Sequence, residues 1–481
     1  MGALESVIFD SCRRMDPLEL TLLEAATALR KRQLGHLEYV QALLAQTDRL
    51  PSLNAWISRD PEGLILQAKA LDQASSAPSE LLPLAGIPMA IKDNIDTAVL
   101  PTSGGTRALQ AARPKHNAPV VDVLLQAGAM IAGKTNLHEL ALGGTNHNAV
   151  TGACRNPWNP SRISGGSSGG SAVAVAARMV PAALGTDTGA SVRLPAALCG
   201  VVGFRPTTGR YPSEGILHLS PTKDTAGPIA RSVADVAWLD GWMALKPSDL
   251  PHLSLKGLRL GLPRADFFEG ADPQVLAVIE QCLRTLIRQG IECVPLDVKA
   301  LKLHNEATGS TLVMFEMMRS LPAYLRQHGM PMEALLAGIG SPDVARLLAR
   351  QLGAERVTSA AYAAALTRRQ KLQAVYARHF ADHRLDALAF PTCRMSAPHI
   401  GQDDTVALSG QLLPTFPTLI RNTDPGSNAG LPCISIPVGL TAEGLPVGLE
   451  LDGACGSDRH LLRVAAAIER ALPSMPRPPG V

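Results

Sequence analysis

Ile163-Ser164-Gly165-Gly166-Ser167-Ser168-Gly169-Gly170-Ser171 runs without a break into Ala172-Val173-Ala174-Val175-Ala176-Ala177. A Gly/Ser linker is flexible and solvated, whereas this one leads straight into small apolar residues suited to packing. The stretch therefore reads as a tight turn feeding a buried, small-residue helix. A phosphate loop of the Walker type would end in Gly-Lys-Ser/Thr, and a dinucleotide turn would show GxGxxG; neither occurs here. Gly165-x-Ser167-x-Gly169 does satisfy the GxSxG spacing of a nucleophile elbow, but that motif needs an apolar strand in front of it. What precedes is Arg155-Asn156-Pro157-Trp158-Asn159-Pro160-Ser161-Arg162, a turn-rich loop. An elbow also requires a later acid and histidine. His399 and His460 are available, yet nothing around either marks a catalytic loop, so an α/β-hydrolase-type esterase is the weaker reading.

Outward from this block, short apolar runs alternate with glycine turns and helical stretches from Leu84 to about Leu239. The runs are IPMAIKD, AMIAGKT and PAALGT, with a helix near 117–127 and another in SAVAVAARM. This is the βαβ texture of a sheet covered by helices. KGLRLGLP at 256–263 restarts it, followed by a helix near 272–289 and the strand-like ECVPL. DALAFPT at 386–392, CISIPVG at 433–439 and VGLELDG at 447–453 read as buried strands, and 457–472 as a final helix. Towards the N-terminus, 17–49 reads as helix broken at Gly35, 53–57 as a short strand, 61–75 as helix and the Ser/Pro-rich 75–83 as loop. Strand signals occur early, centrally and late, which favours one sheet over separate domains. The expected class is α/β, a single domain over 17–474 with a central mixed, twisted sheet covered by helices on both faces. Its core spans about 84–240 and a largely helical region about 305–383; 1–16 is an N-terminal extension and 475–481 a frayed C-terminal tail.

Composition narrows the partners. The chain has 481 residues, 46% hydrophobic and 18% charged, with a net charge of +3. So small a charge, without a basic tract, argues against nucleic acid or an anionic membrane. No run approaches the roughly 18 apolar residues of a membrane span, and MGALESVIFDSCRRM places acid early and basic residues late, the reverse of a secretory signal. A cytoplasmic protein, monomer or homodimer, acting on a small molecule is expected. The eight cysteines show no CxxC pair, so buried thiols are expected rather than a disulfide framework or thiolate cluster. His138, Glu139 and His147 do not make a zinc motif, because HExxH would need histidine at Leu142. No metal or organic cofactor is expected.

Three blocks taken together go further. GGSSGGSA, Leu184-Gly185-Thr186-Asp187-Thr188-Gly189-Ala190-Ser191-Val192-Arg193 and Cys199-Gly200-Val201-Val202-Gly203-Phe204-Arg205-Pro206-Thr207 closely resemble the signature of the amidase signature family. Gly86-Ile87-Pro88-Met89-Ala90-Ile91-Lys92-Asp93-Asn94 resembles the block bearing that family's lysine, and Gly133-Lys134-Thr135-Asn136-Leu137-His138-Glu139 a turn between them. Late blocks match as well: Asn428-Ala429-Gly430-Leu431-Pro432, Ile436-Pro437-Val438-Gly439 and Gly444-Leu445-Pro446-Val447-Gly448. The resemblance implies a hydrolase of carboxamides or related C–N bonds with a Lys92–Ser167–Ser191 triad. By it, Ser191 is the nucleophile, Ser167 the bridging serine after a cis peptide from Gly166, and Lys92 the base, with an acyl-enzyme intermediate.

The chemistry suits these residues. An amide carbonyl is a poor electrophile, so attack needs an activated hydroxyl and a stabilised oxyanion. The backbone N–H groups of Thr188, Gly189, Ala190 and Ser191 can converge on one oxygen. A lysine acts as a base near neutral pH only when burial disfavours its charged form, and Met89, Ala90 and Ile91 beside Lys92 fit such burial. Asp187 and Arg193 bracket the nucleophile turn and are expected to hold it, with Ser168 supporting the network. Ala190 departs from the glycine the family often has there. That Gly-Ala-Ser, SPTKDTAGPIA at 220–230, IGSPDVA at 339–345 and RNTDPGSNAGLP at 421–432 resemble the indoleacetamide and mandelamide hydrolase branch, which cleaves primary amides of arylacetic or aryl-hydroxyacetic acids. Relatives also take anilides, esters and carbamates, so aryl carbamates stay open as substrates. The same fold and triad serve amidotransferase subunits acting on glutamine in tRNA-modifying complexes, the second reading. For the pocket, the expected lining is Leu142, Gly143, Gly144 and Thr145 with Met318, Leu321 and Tyr324 from the methionine-rich 310–336 region.

Overall fold

In the computed structural model, residues 15–74, 82–247, 249–306 and 308–481 are described, so most of the N-terminal extension and of the 75–83 loop lies outside the described residues. The alternating apolar runs become an 11-stranded sheet. Its first six strands are β1 (Trp56–Arg59), β2 (Pro88–Lys92), β3 (Met130–Thr135), β4 (Ala182–Asp187), β5 (Val202–Arg205) and β6 (Thr225–Ala230). The rest are β7 (Arg259–Leu262), β8 (Glu292–Pro295), β9 (Ala387–Pro391), β10 (Cys433–Leu440) and β11 (Pro446–Asp452). Their spatial order is β1-β3-β2-β4-β6-β5-β10-β11-β9-β7-β8. Pairing is parallel along β3-β2-β4 and β9-β7-β8, and antiparallel elsewhere. The mixed sheet predicted from the sequence is therefore present, and early and late strands meet at the centre, where β5 pairs with β10.

Both faces are covered. Along β2 successive side chains alternate between faces: Met89 and Ile91 enter the larger apolar core with Leu184 and Phe204, while Ala90 enters a second core with Ala172–Ala177. That second core is capped by α1 (Gly169–Ala176), the helix fed by the Ser/Gly block and buried on every side. A helix apolar all round belongs in an interior, and small residues let it lie close. A Cβ on Gly170 would stand 2.5 Å from the Ala55 carbonyl oxygen, closer than any side chain tolerates. The glycines therefore set how near the turn at Ser167 comes to the sheet.

Some expectations shift. Pro51–Leu53 forms a short 3₁₀ turn ended by Asn54 in the left-handed region (φ 52°), so the early strand starts at Trp56 rather than at Leu53. The prolines and asparagines of 155–163 make a two-stranded hairpin rather than a loop. Strand β6 arises from SPTKDTAGPIA, which the sequence reading singled out only as a motif. The C-terminal tail is not frayed: Arg477 Nε lies 2.7 Å from Glu19, and Arg49 donates to the Gly480 carbonyl at 3.0 Å. No described helix is long and apolar enough to cross a membrane.

The 305–383 region folds as α2 (Thr308–Gln327), a short helix at Met332–Gly338, α3 (Pro342–Leu352) and α4 (Ser359–His383). Its core joins Met317, Leu321, Tyr324 and Leu325 to Val344 and Leu348. This corrects the pocket reading for three residues. Leu321 and Tyr324 are buried in that core, and Met318 packs against it. The helical period turns Gly309, Ser310, Val313 and Met314 towards the cavity instead. The Tyr324 hydroxyl donates to the buried Asp96 carboxylate at 2.7 Å. Tyr324→Phe should therefore lower the unfolding free energy by about 1–3 kcal/mol in urea denaturation, since a buried acceptor loses its donor. A raised KM with unchanged stability would instead put the ring in the pocket.

Candidate active site

Strands β2 and β4 run side by side and end at one edge of the sheet, where open α/β sheets hold their ligands. Lys92 is the last residue of β2 and is wholly buried. Its Nζ lies 2.7 Å from Ser167 Oγ and 2.8 Å from Thr186 Oγ1. Burial pushes this ammonium down to about 7, against the opposing pull of Asp187 and Asp224. Asn94 Nδ2 donates to the same Thr186 hydroxyl at 3.1 Å. Thr186, which contacts Lys92, and Asn94, which braces Thr186, stand in sequence blocks quoted above, but neither carries a signal of its own.

Ser167 is wholly buried, and the Gly166–Ser167 peptide is cis. Its carbonyl accepts from the His138 amide at 3.2 Å. Ser168 next to it links the nucleophile turn to the end of β4: its amide donates to the Ser191 carbonyl at 3.1 Å, and its hydroxyl to the Thr186 carbonyl at 3.2 Å. The turn 188–191 thus lies against the Ser167 turn. Thr188 Oγ1 donates to Asp224 at 2.6 Å, tying the turn to the start of β6.

Arg193 follows this turn and is buried with Asp187 and Glu450. Its guanidinium donates to both Asp187 oxygens at 3.1 Å and to Glu450 at 2.6 Å. Arg205 adds a contact to Asp187 at 3.2 Å. Burial alone would raise the Asp187 carboxyl, yet the two guanidinium groups hold it well below the usual carboxylate range. Glu450, by contrast, is pushed up by burial despite Arg193. Cys433, Glu450 and Asp452 bring donor atoms within 4.8 Å of one another, the one such group among the described residues. None of the three lines the cavity, and the neighbouring guanidinium already supplies positive charge there.

The cavity above the turn holds about 470 Å³, within the range of small-molecule sites. Thr188, Gly189, Ala190 and Ser191 form its floor, and Leu142, Gly143, Gly144 and Thr145 one side. Leu219, Val313, Met314, Leu347, Phe416 and Ile420 supply apolar walls. Thr145 and His147 both reach Asp403, at 2.7 and 2.6 Å, and His138 reaches Asp343 at 2.9 Å. The histidines thus pin loops to the rim rather than gather round a metal.

With this geometry in place, the comparisons converge. The amidase family profile covers residues 38–462. The chain belongs to the amidase signature family. It is 43% identical to an indoleacetamide hydrolase of Agrobacterium vitis over 94% of this chain and 97% of that one. It is 41% identical to a mandelamide hydrolase of Pseudomonas putida over 96% of this chain and 93% of that one. A crystal structure of an amidase superposes with a TM-score of 0.84 at 33% identity, covering 94% of this chain and all of the other. As an amidase it hydrolyses amide bonds. This amidase rests its turn on Arg193, so Arg193→Met should cost about 3–5 kcal/mol of stability by stranding Asp187 and Glu450. Chemical denaturation measures this; a loss below about 1 kcal/mol would mean the carboxylates take up protons at little cost.

Proposed function

We propose that this amidase hydrolyses primary amides of arylacetic acids through Ser191, Ser167 and Lys92. The observation that carries the reading is the contact of 2.7 Å between buried Lys92, its pKa pushed down to about 7, and Ser167, beside a cavity floored by the 188–191 backbone. Neutral Lys92 takes the proton of Ser167 as Ser167 takes that of Ser191, whose Oγ attacks the amide carbon. The N–H groups of the 188–191 turn face the oxyanion, each worth about 3 kcal/mol to the transition state. On collapse the C–N bond breaks, Ser167 returns a proton to the nitrogen, and ammonia leaves. Water then attacks the Ser191 acyl ester by the same proton route and releases the acid. Asp187, Arg193, Ser168 and Gly166 hold these groups in place without touching substrate.

The apolar walls and a cavity of about 470 Å³ suit an aryl group, and the indoleacetamide and mandelamide hydrolases to which the chain is similar act on that class. An aryl carbamate presents the same carbonyl to the same nucleophile and belongs to the substrate range of this reading. A turnover panel of phenylacetamide, indoleacetamide, an anilide, a p-nitrophenyl ester and an aryl carbamate tests it. The arylacetamides should lead; activity confined to the ester would sink the proposal.

Two further outcomes follow from the chemistry. Ser191→Ala should stay folded and lose activity and fluorophosphonate labelling together, and substantial residual turnover would remove Ser191 as nucleophile. Because the base works unprotonated, kcat/KM should rise with pH through about 7, the value at which Lys92 loses its proton, and level off above it. A profile flat from pH 5 to pH 9, on a scale where ordinary lysine titrates near 10.4, would exclude Lys92 from that role.

A further inference from the structure

His138 and Glu139 make no metal motif, yet both side chains cross from the pocket loop to the start of α3. His138 reaches Asp343, and Glu139, which is wholly buried, reaches the two residues that lead into that helix. Its Oε2 accepts from the Ser341 amide at 2.7 Å, and both carboxylate oxygens accept from the Gly340 amide at 3.2 Å. These amides sit just before Pro342, where a carboxylate is also favoured by the helix dipole. Glu139 itself does not line the cavity.

The residues that follow it are strained. Leu140 (φ 53°) and Ala141 (φ 60°) both lie in the left-handed region, and Asn146 joins them at φ 56°. Residues with a Cβ rarely do so, and such backbone persists only where its surroundings hold it from several sides. One hold is the Leu140 amide, which donates to the Gly104 carbonyl at 2.8 Å. The other is Glu139 on 340–341. That segment is anchored in turn by Val344 and Leu348 in the apolar core and by Ser341 Oγ, which accepts from the Ala149 amide at 3.2 Å. What the loop rests on is the Ser167 turn. The His138 amide donates to the Ser167 carbonyl at 3.2 Å, and Asn146 Oδ1 accepts from the Gly169 amide at 3.3 Å. A Cβ on Gly166 would stand 3.1 Å from the Asn146 nitrogen and 3.3 Å from the Gly144 carbonyl carbon.

We propose that Glu139 is a positioning residue: by binding the 340–341 amides it holds the left-handed turn at 140–141 and so fixes the Ser167 turn packed against this loop. The proposal rests on the reading of Ser167 as the proton relay to Ser191. The test is kcat on phenylacetamide and the second-order rate constant of fluorophosphonate labelling. Both are expressed per labelled site, so the folded fraction drops out. Glu139→Ala should lose about 10- to 100-fold in both, the scale of a displaced catalytic group. Ser341→Pro should do the same, because it deletes the amide at 2.7 Å at a residue whose φ of −81° is close to the value proline fixes. Glu139→Gln keeps an oxygen for the Ser341 amide and should stay near wild type. If Glu139→Ala does not fold, Ser341→Pro decides alone. Undiminished rate constants with only a lowered melting temperature would make Glu139 structural and overturn the proposal. So would a Glu139→Gln as slow as Glu139→Ala, and either result leaves the triad reading intact. A wild type that resists the fluorophosphonate would overturn both.

Discussion

Arg193 spends a fully buried guanidinium on holding two halves of the chain together. It reaches Asp187 at the end of β4, Glu450 in β11, the Thr423 carbonyl and the Ser427 hydroxyl. The turn 188–191 sits between Asp187 and Arg193, so its backbone direction is set by this cluster. A bidentate, charge-assisted contact fixes angle as well as distance. The oxyanion site proposed for this turn would need that, because its donors must point before the charge appears. The late strands, remote in sequence, thus brace the turn whose residues lie in the first half of the chain.

The same arrangement shapes Lys92. Asp187 and Asp224 both favour its charged form, and burial disfavours it more. Because Arg193 and Arg205 already engage Asp187, that carboxylate attracts the lysine less than it would alone. Lys92 is left with its pKa lowered to about 7, held by Ser167 and Thr186 rather than by a carboxylate partner. A direct ion pair would keep it protonated, at odds with the base proposed above.

The cavity is divided between a floor of backbone turns and largely apolar walls. The floor belongs to the sheet-borne turns, whereas much of the wall comes from α2 and from the 415–420 helix. Floor and wall are separate contributions, so the reaction centre can persist while the wall changes. The methionine-rich stretch shows how narrow the division is: Met314 faces the cavity, while Met317, one helical turn later, lies in the core.

Much of this was legible without coordinates. Apolar alternation in IPMAIKD and PAALGT determined the strands, because buried parallel strands need apolar side chains on both faces. The Ser/Gly turn running into Ala172–Ala177 determined a buried helix, since only small residues pack that closely. The ordered blocks from Lys92 to Pro446 determined the family and nominated Ser167 and Ser191. The sequence did not determine which face of α2 meets the cavity, and Met318, Leu321 and Tyr324 lie in or against the core instead; periodicity names an apolar face without saying what it packs against. Nor did it reveal Thr186 beside Lys92, or Lys223 beside Asp424, 201 residues apart. Those pairings depend on β2 lying next to β4 and on the start of β6 meeting the helix at Asp424. Strand order and crossing distances are properties of the assembled sheet, and only the tertiary structure decides them.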